Sequence, residues 1–289
     1  MRCLVIGASS YIAKTFIQKY QEQFTITALS RNKDLKSYFD LTNQDFKEYD
    51  VLINFTAIVH QKNPDKTLAR LINTQLPIFL AKKAKEAGIT QFIQMSTIAV
   101  YATGLTKIDQ NSETLPSTLY GQTKLEADQE LSTMQSSNFN IVIMRPPIVY
   151  GKSAPGNMAS LILLLQKGVP LPFLYTKNQR AILYVENLTT ALSLAIEKHV
   201  NGLFLLSDTY APSLARLCTE INHHQKKSTK LFSLPILFIS ILIYFKQLPF
   251  YKIYDNLILD DSYTQQQLGQ YNTVPFNIAI SRTMKRGLC

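Results

Sequence analysis

Residues 2–13 run Arg2-Cys3-Leu4-Val5-Ile6-Gly7-Ala8-Ser9-Ser10-Tyr11-Ile12-Ala13, an apolar strand-like stretch that stops at a glycine and enters a helix-like one. A dinucleotide-binding fold needs this order: a buried first strand, a tight turn, and a helix whose amino end faces the pyrophosphate. Gly7 supplies the turn, Tyr11 and Ile12 open the helix, and Ala13 is small enough to pack it against the sheet. Ser10 stands where backbone would approach phosphate, and its hydroxyl can donate to a phosphate oxygen. The next strand candidate, Thr25–Leu29, runs into Ser30-Arg31. An Asp or Glu at that strand end would accept from the ribose hydroxyls of NAD. Here Ser30 takes the place, and the Arg31 guanidinium suits a ribose 2′-phosphate, which favours NADP over NAD. Stacking on adenine, or facing solvent, are the plainer roles for Arg31. Asp40-Leu41, expected after a short third strand, falls where this fold contacts the adenine.

Outward from that turn, strand candidates at 51–55, 91–95 and 141–144 are nearly continuous apolar runs, as expected of strands covered on both faces. Helical stretches at 11–20, 67–87 and 120–134 lie between them, with Gly88 as a carboxyl-terminal stop. The alternation predicts an α/β fold, a doubly wound parallel sheet over residues 1–151. After Gly151, loops rich in Pro, Gly and Lys alternate with apolar helices at 158–166 and 188–198 and a strand at 203–206. Residues 152–289 are expected to form a smaller α/β substrate lobe, its packing interleaved with the sheet domain, at the carboxyl edge where open sheets bind ligands.

The chemistry is carried by Tyr120-Gly121-Gln122-Thr123-Lys124, preceded by Met95-Ser96-Thr97-Ile98-Ala99-Val100-Tyr101. Four residues apart on a helix, Tyr120 and Lys124 share a face. A free phenol is protonated at neutral pH; a neighbouring ammonium and a positive nicotinamide both favour the phenolate, so Tyr120 is the candidate general base. Lys124 can also hold a nicotinamide ribose. Thr97 leaves the end of a buried strand, placed to bond a substrate oxygen and relay a proton.

With these motifs, residues 1–151 resemble the extended short-chain dehydrogenase/reductase family of the NAD-dependent epimerase/dehydratase type, which implies a Rossmann-type sheet. The resemblance extends to Arg145-Pro146-Pro147-Ile148-Val149-Tyr150-Gly151, where Pro147 and Ile148 would meet the nicotinamide carboxamide. Phe55-Thr56-Ala57 is similar to the turn on the nicotinamide side, and Asn73 to the central-helix asparagine, whose plainer role is to hold that helix. In the second half, Gly156-Asn157-Met158 and the segment from Gln179 to Leu188 resemble the family's sugar-nucleotide segments. By that resemblance Asn157 and Arg180 hold a diphosphate, a bidentate task that suits a guanidinium, and Ser96 lies on the substrate side. The layout is similar to a polysaccharide-locus branch resembling UDP-glucose 4-epimerases and UDP-4-keto-6-deoxy-hexosamine 4-reductases. The implied substrate is a nucleotide sugar attacked at C4, and a homodimer through the 120–134 helix is implied as well. Two features depart from the family: the G-x-x-G-x-x-G turn keeps only Gly7, and Ala102 replaces a glycine after Val100-Tyr101. Epimerase and ketoreductase use the same residues, and the motif leaves both open. A dehydratase would need an acid–base pair where Ile98-Ala99 stand. The alternative from a different class is a non-catalytic dinucleotide sensor or scaffold.

Composition sets the outer bounds. The 289 residues are 46% hydrophobic and 17% charged, enough apolar material for a real core. Cys3, Cys218 and Cys289 form no CxxC pair, no histidine has a metal-ligand partner nearby in sequence, and no metal is expected. The formal net charge of +10 is spread along the chain rather than gathered with aromatics, so no nucleic-acid partner is expected. It fits attraction for anionic small molecules, or simply a basic surface. The amino terminus enters a strand directly, and the protein is expected in the cytoplasm. The apolar stretch 231–245, interrupted by Pro235 and followed by Lys246 and Lys252, is too short to span a bilayer. It is expected as a docked helix, with a peripheral lipid contact as the alternative.

Overall fold

The computed structural model describes residues 1–30, 35–59, 65–225, 228–233 and 255–285. Arg31 and residues 234–245 of the apolar stretch lie outside them. Among the described residues the central sheet has six strands, all parallel: β1 (Arg2–Ile6), β2 (Thr25–Leu29), β3 (Val51–Asn54), β4 (Gln91–Met95), β6 (Asn140–Arg145) and β9 (Gly202–Leu205). Their order is β2-β1-β3-β4-β6-β9. The chain leaves β1 for β2 on one side and returns to β3 on the other, so the order reverses between β1 and β3, the place where such sheets bind ligands. All of β3 and β4 is buried, which is why these strands read as mostly apolar runs, with Asn54, Gln91 and Gln94 the buried polar residues among them.

Side-chain alternation divides the core. Cys3 and Val5 pack with α1 (Tyr11–Tyr20) and α6 (Val185–Glu197) on one face, whereas Leu4 and Ile6 meet α3 (Leu76–Glu86) on the other. The predicted helix 67–87 is present as α2 (Lys66–Arg70), a π turn over Leu71–Gln75, and α3, which closes before Gly88 at φ +84°. Among the described residues ahead of Asp40 no third strand is present. Leu35–Asp40 forms a 3₁₀ turn that buries Tyr38 in the core, with its hydroxyl donating to the Leu29 carbonyl at 3.3 Å. That leaves β2 at the sheet edge. Beyond Gly151, β9 completes the main sheet, while α5 (Asn157–Gln166), α7 (Leu214–His223) and α9 (Phe276–Met284) surround the short parallel pair of β7 (Ile148–Tyr150) and β8 (Ile182–Tyr184). Another short parallel pair joins β5 (Lys107–Ile108) to β10 (Ile258–Leu259), and α8 (Ser262–Leu268) packs near β9. No described helix is long and apolar enough to cross a membrane.

Helix α4 (Leu119–Thr133) starts where Thr118 caps it, accepting from the Gly121 amide at 3.1 Å. Its first turn presses on the loop after β4: a Cβ on Gly121 would fall 2.2 Å from the Ala99 carbonyl oxygen. Only glycine permits this approach. Gly121→Ala is therefore expected to push α4 off the loop and cost about 1–3 kcal/mol, the usual penalty for overpacking. Urea unfolding checks it; an unchanged midpoint would show that the contact relaxes without penalty.

Candidate active site

The first turn behaves as its sequence predicts. Gly7 sits at φ +78°, and a Cβ there would come within 3.0 Å of the Thr56 amide nitrogen. The Gly7 and Ala8 amides both donate to the Leu29 carbonyl, at 3.0 and 3.1 Å. Ser10 caps α1, its hydroxyl oxygen accepting from the Ala13 amide at 3.2 Å, which leaves the hydroxyl proton available to a ligand. Its backbone is extended, at φ −63° and ψ 152°, so glycine is not required there for conformation. Tyr11 and Ile12 form the first turn of α1, half-buried. Ser30 is exposed at the end of β2; Asp40 is exposed and Leu41 buried beyond it. Phe55 and Thr56 are buried where β3 ends against Gly7, with Ala57 half-buried beside them, and Thr56 donates to the Asn54 side chain through both its amide and its hydroxyl.

Asn73 is buried in the π turn, where its amide group grips both the N–H and the C=O of Ile58, at 2.8 and 3.0 Å, and reaches Thr123 at 3.1 Å. It therefore ties the segment after Ala57 to α4, one residue before Lys124.

Tyr120 and Thr97 are joined by a side-chain hydrogen bond. Thr97 is held by capping the following 3₁₀ turn, its hydroxyl accepting from the Ala99 amide at 3.1 Å. One turn further along α4 the Lys124 side chain is fully buried, and its ammonium has no hydrogen-bond partner among the described residues. Asp128, another turn on, accepts from Ser96 at 2.7 Å and from Arg145 Nε at 3.0 Å. Arg145 also donates to the Tyr101 hydroxyl at 2.8 Å. Burial lowers Lys124 to about 8, against the raising influence of the Asp128 carboxylate. Burial raises the Tyr120 phenol to about 12; the bond with Thr97 opposes the rise and Asp128 adds to it. In the protein by itself the phenol is not acidified, because loss of solvent outweighs the Thr97 hydrogen bond and the Asp128 carboxylate pushes the same way as burial.

On the substrate side, Ser96 is buried with its hydroxyl committed to Asp128. Asn157 is exposed at the start of α5, directly after Gly156 at φ +85°. Arg180 is half-buried beside the Asp255 carbonyl, and burial lowers its pKa against the raising influence of Asp255. Pro147 is buried, whereas Ile148 is exposed at the start of β7.

Over residues 3–204 the chain matches the NAD dependent epimerase/dehydratase family. It is 33% identical over 259 residues to UDP-glucose 4-epimerase of Vibrio cholerae, covering 81% of this chain and 78% of that protein. The chain belongs to the NAD dependent epimerase/dehydratase family. A more distant relative is N-acetyl-alpha-D-glucosaminyl-diphospho-ditrans,octacis-undecaprenol 4-epimerase of Escherichia coli O157:H7, 21% identical over 248 residues, 80% of this chain and 75% of that one. The fold is shared with UDP-glucuronic acid 4-epimerase from Bacillus cereus, solved in complex with NAD, at TM-score 0.80 and 17% identity, covering 98% and 95% of the two chains.

The family's dinucleotide fits the residues present. A buried ammonium without a hydrogen-bond partner stands one turn below the Thr97–Tyr120 pair, and the Gly7 turn and the start of α1 face the strand-order reversal. Sequence reasoning missed Asp128 and did not give Arg145 its electrostatic part. The available signal was spacing, because Asp128 continues the series of four residues from Tyr120 through Lys124.

The buried lysine has a measurable consequence in the protein without ligand. Unfolded, Lys124 keeps its proton up to about 10.5; folded, it loses it near 8. Between those values the unfolded state binds more protons, so the lysine's penalty on stability shrinks as pH rises. Lys124→Met is expected to be more stable than the parent at neutral pH, with an advantage that falls by about 2 kcal/mol between about pH 8 and about pH 10. Denaturant unfolding of both proteins checks it. The buried thiols Cys3 and Cys218, pushed up to about 12, contribute the opposite slope equally to both and cancel in the difference.

Proposed function

We propose that this chain is an NAD(P)-dependent epimerase that inverts C4 of a UDP-linked sugar. The observation that carries the reading is the Thr97–Tyr120 hydrogen bond above the buried Lys124. A bound oxidised nicotinamide dinucleotide supplies the hydride acceptor and one positive charge beside the phenol. Gly7, Ser10, Tyr11 and Ile12 hold its pyrophosphate, Ser30 with Asp40 and Leu41 its adenosine end, and Phe55, Thr56, Ala57, Pro147 and Ile148 its nicotinamide end. Lys124 binds the ribose through the ammonium that lacks an internal partner.

The protein's own part is proton handling. Tyr120 takes the proton from the sugar C4 hydroxyl and returns it to the same oxygen after inversion, with Thr97 relaying between them. The neutral phenol is the acid form needed for the return. Asn73 keeps Lys124 in register through Thr123, and Asn157 and Arg180 hold the diphosphate of the nucleotide. The 33% identity to a UDP-glucose 4-epimerase supports an epimerase over a 4-ketoreductase. The NAD of the Bacillus cereus structure supports NAD, and Arg31 is the ground for NADP. A role in surface polysaccharide synthesis, a cytoplasmic location and a homodimer through α4 belong to the same proposal. The E. coli relative's sugar–diphosphate substrate supports the first of these.

Incubation with UDP-sugars and their 4-keto forms, followed by product NMR and NADPH absorbance, tests it. C4 inversion without net NADPH use is expected; net consumption with a keto sugar would replace the epimerase by a reductase. Tyr120→Phe is expected to lower kcat roughly 100- to 10,000-fold with little change in KM. Undiminished turnover without the phenol would end the enzymatic assignment and leave a dinucleotide-binding scaffold.

A further inference from the structure

The substrate lobe carries an apolar edge that its own core does not use. Leu163 and Leu164 in the last turn of α5, Leu174 and Tyr175 in the loop that follows, and Phe232 are between 40% and 73% exposed. These stretches form one edge. The Leu171 amide donates to the Lys230 carbonyl, the Phe232 amide to the Leu171 carbonyl, and the Leu174 amide to the Phe232 carbonyl, at 3.0 to 3.2 Å. Beneath them Leu165, Leu171 and Phe173 are buried in the lobe's core, so the edge is anchored from below. Grouped exposed apolar side chains of this size mark a surface that meets something.

Charge says what it meets. Lys167, Lys177 and Lys230 are exposed in the same stretches of chain, and none of them forms an ion pair among the described residues. No Asp or Glu occurs anywhere between Leu131 and Val185, nor between Ile221 and Tyr254. The stretches that build the edge are therefore apolar and cationic and contain no carboxylate. A second copy meeting it about a two-fold axis would set lysine against lysine. Protein interfaces also tend to exclude lysine from their centres. An anionic bilayer surface suits both features: leucine and aromatic side chains enter the acyl boundary while lysine stems lie along it and their ammonium groups reach lipid phosphates.

We propose that this edge of the lobe docks the protein on an anionic lipid bilayer. Helix α5 then runs from Asn157, on the proposed diphosphate side, to the membrane-facing Leu163 and Leu164. The six to seven residues between them set a separation of about 10 Å along the helix. The docking stands independently of the redox reading, since none of its residues belongs to the proposed active site.

Flotation of the full chain with phosphatidylcholine vesicles, with and without phosphatidylglycerol, tests it. Binding is expected only with the anionic lipid and is expected to weaken as salt rises. Each of Lys167→Gln, Lys177→Gln and Lys230→Gln is expected to lower partitioning about fivefold. Leu164→Ser with Phe232→Ser is expected to abolish what remains, with the 4-epimerase activity on soluble substrate unchanged. Three results would overturn the proposal: no flotation of the parent, equal flotation on neutral vesicles, or flotation unaffected by these substitutions, which would place any lipid contact elsewhere in the chain. Loss of a dimer by the same variants in the absence of vesicles would reassign the edge to a contact between copies.

Discussion

The active site depends on one close approach, the first turn of α4 resting on the Ala99 carbonyl through Gly121. With no side chain at 121 the helix sits low enough for Tyr120 to meet Thr97. Helical repeat then carries the consequence inward: Lys124 lies one turn deeper and Asp128 one turn deeper again. The loop that receives the helix is itself fixed by sheet order. The strands β4 and β6 are neighbours, and their exits are stitched by the Ser96 amide to the Met144 carbonyl at 2.8 Å and the Ile98 amide to the Pro146 carbonyl at 3.1 Å. One parallel pair and one glycine thus place all three proposed catalytic side chains.

Burying Lys124 is costly, and the surroundings show how the cost is limited. An unpaired ammonium taken out of water tends to lose its proton. Asp128 counters that loss; its own burial raises its pKa, and Arg145, Ser96 and Lys124 oppose that rise. Removing Asp128 or Arg145 would leave the other's buried charge uncompensated, whereas Lys124 makes no direct ion pair with either among the described residues. Arg145 also donates to Tyr101 while its guanidinium lies 5.1 Å from that ring's centre, which immobilises the loop carrying Thr97 from its far end. The two ends of the Thr97 loop are thereby clamped by a strand and by a charge pair, and the phenol meets a rigid partner.

Most of the sheet was legible because buried parallel strands leave an apolar run of about five residues, and the helices between them keep their own period. The turn ahead of Asp40, expected as a short third strand, was not legible. Tyr38 and Leu41 carry a pattern that suits a strand or a turn equally, and the turn wins because it buries both side chains beside α3 and gives the Tyr38 hydroxyl the Leu29 carbonyl. Within the site, Tyr120, Lys124 and Thr97 were readable from spacing along the chain. Arg145 was not, since its partner Asp128 lies 17 residues away and the pairing exists only because β6 is next to β4. Ser96 shows the same limit: its position at a strand end suggests a ligand contact, whereas the carboxylate beneath it takes the hydroxyl.

The thinned glycine turn looks from sequence like a weakened binding site, and the backbone shows why it need not be. Two separate demands are made on such a turn, one conformational and one of clearance. Gly7 meets both, with a positive φ and a backbone neighbour at 3.0 Å that leaves no room for a Cβ. Position 10 makes no conformational demand, because its extended backbone suits any residue. A serine there caps α1 through its oxygen and still has a proton to give, so the helix amino end gains a donor aimed where phosphate lies in this fold. Ala13, fully buried against the sheet, answers the remaining need, which is for smallness alone. What the turn has lost is glycine at places that ask only for a small or a hydrogen-bonding residue.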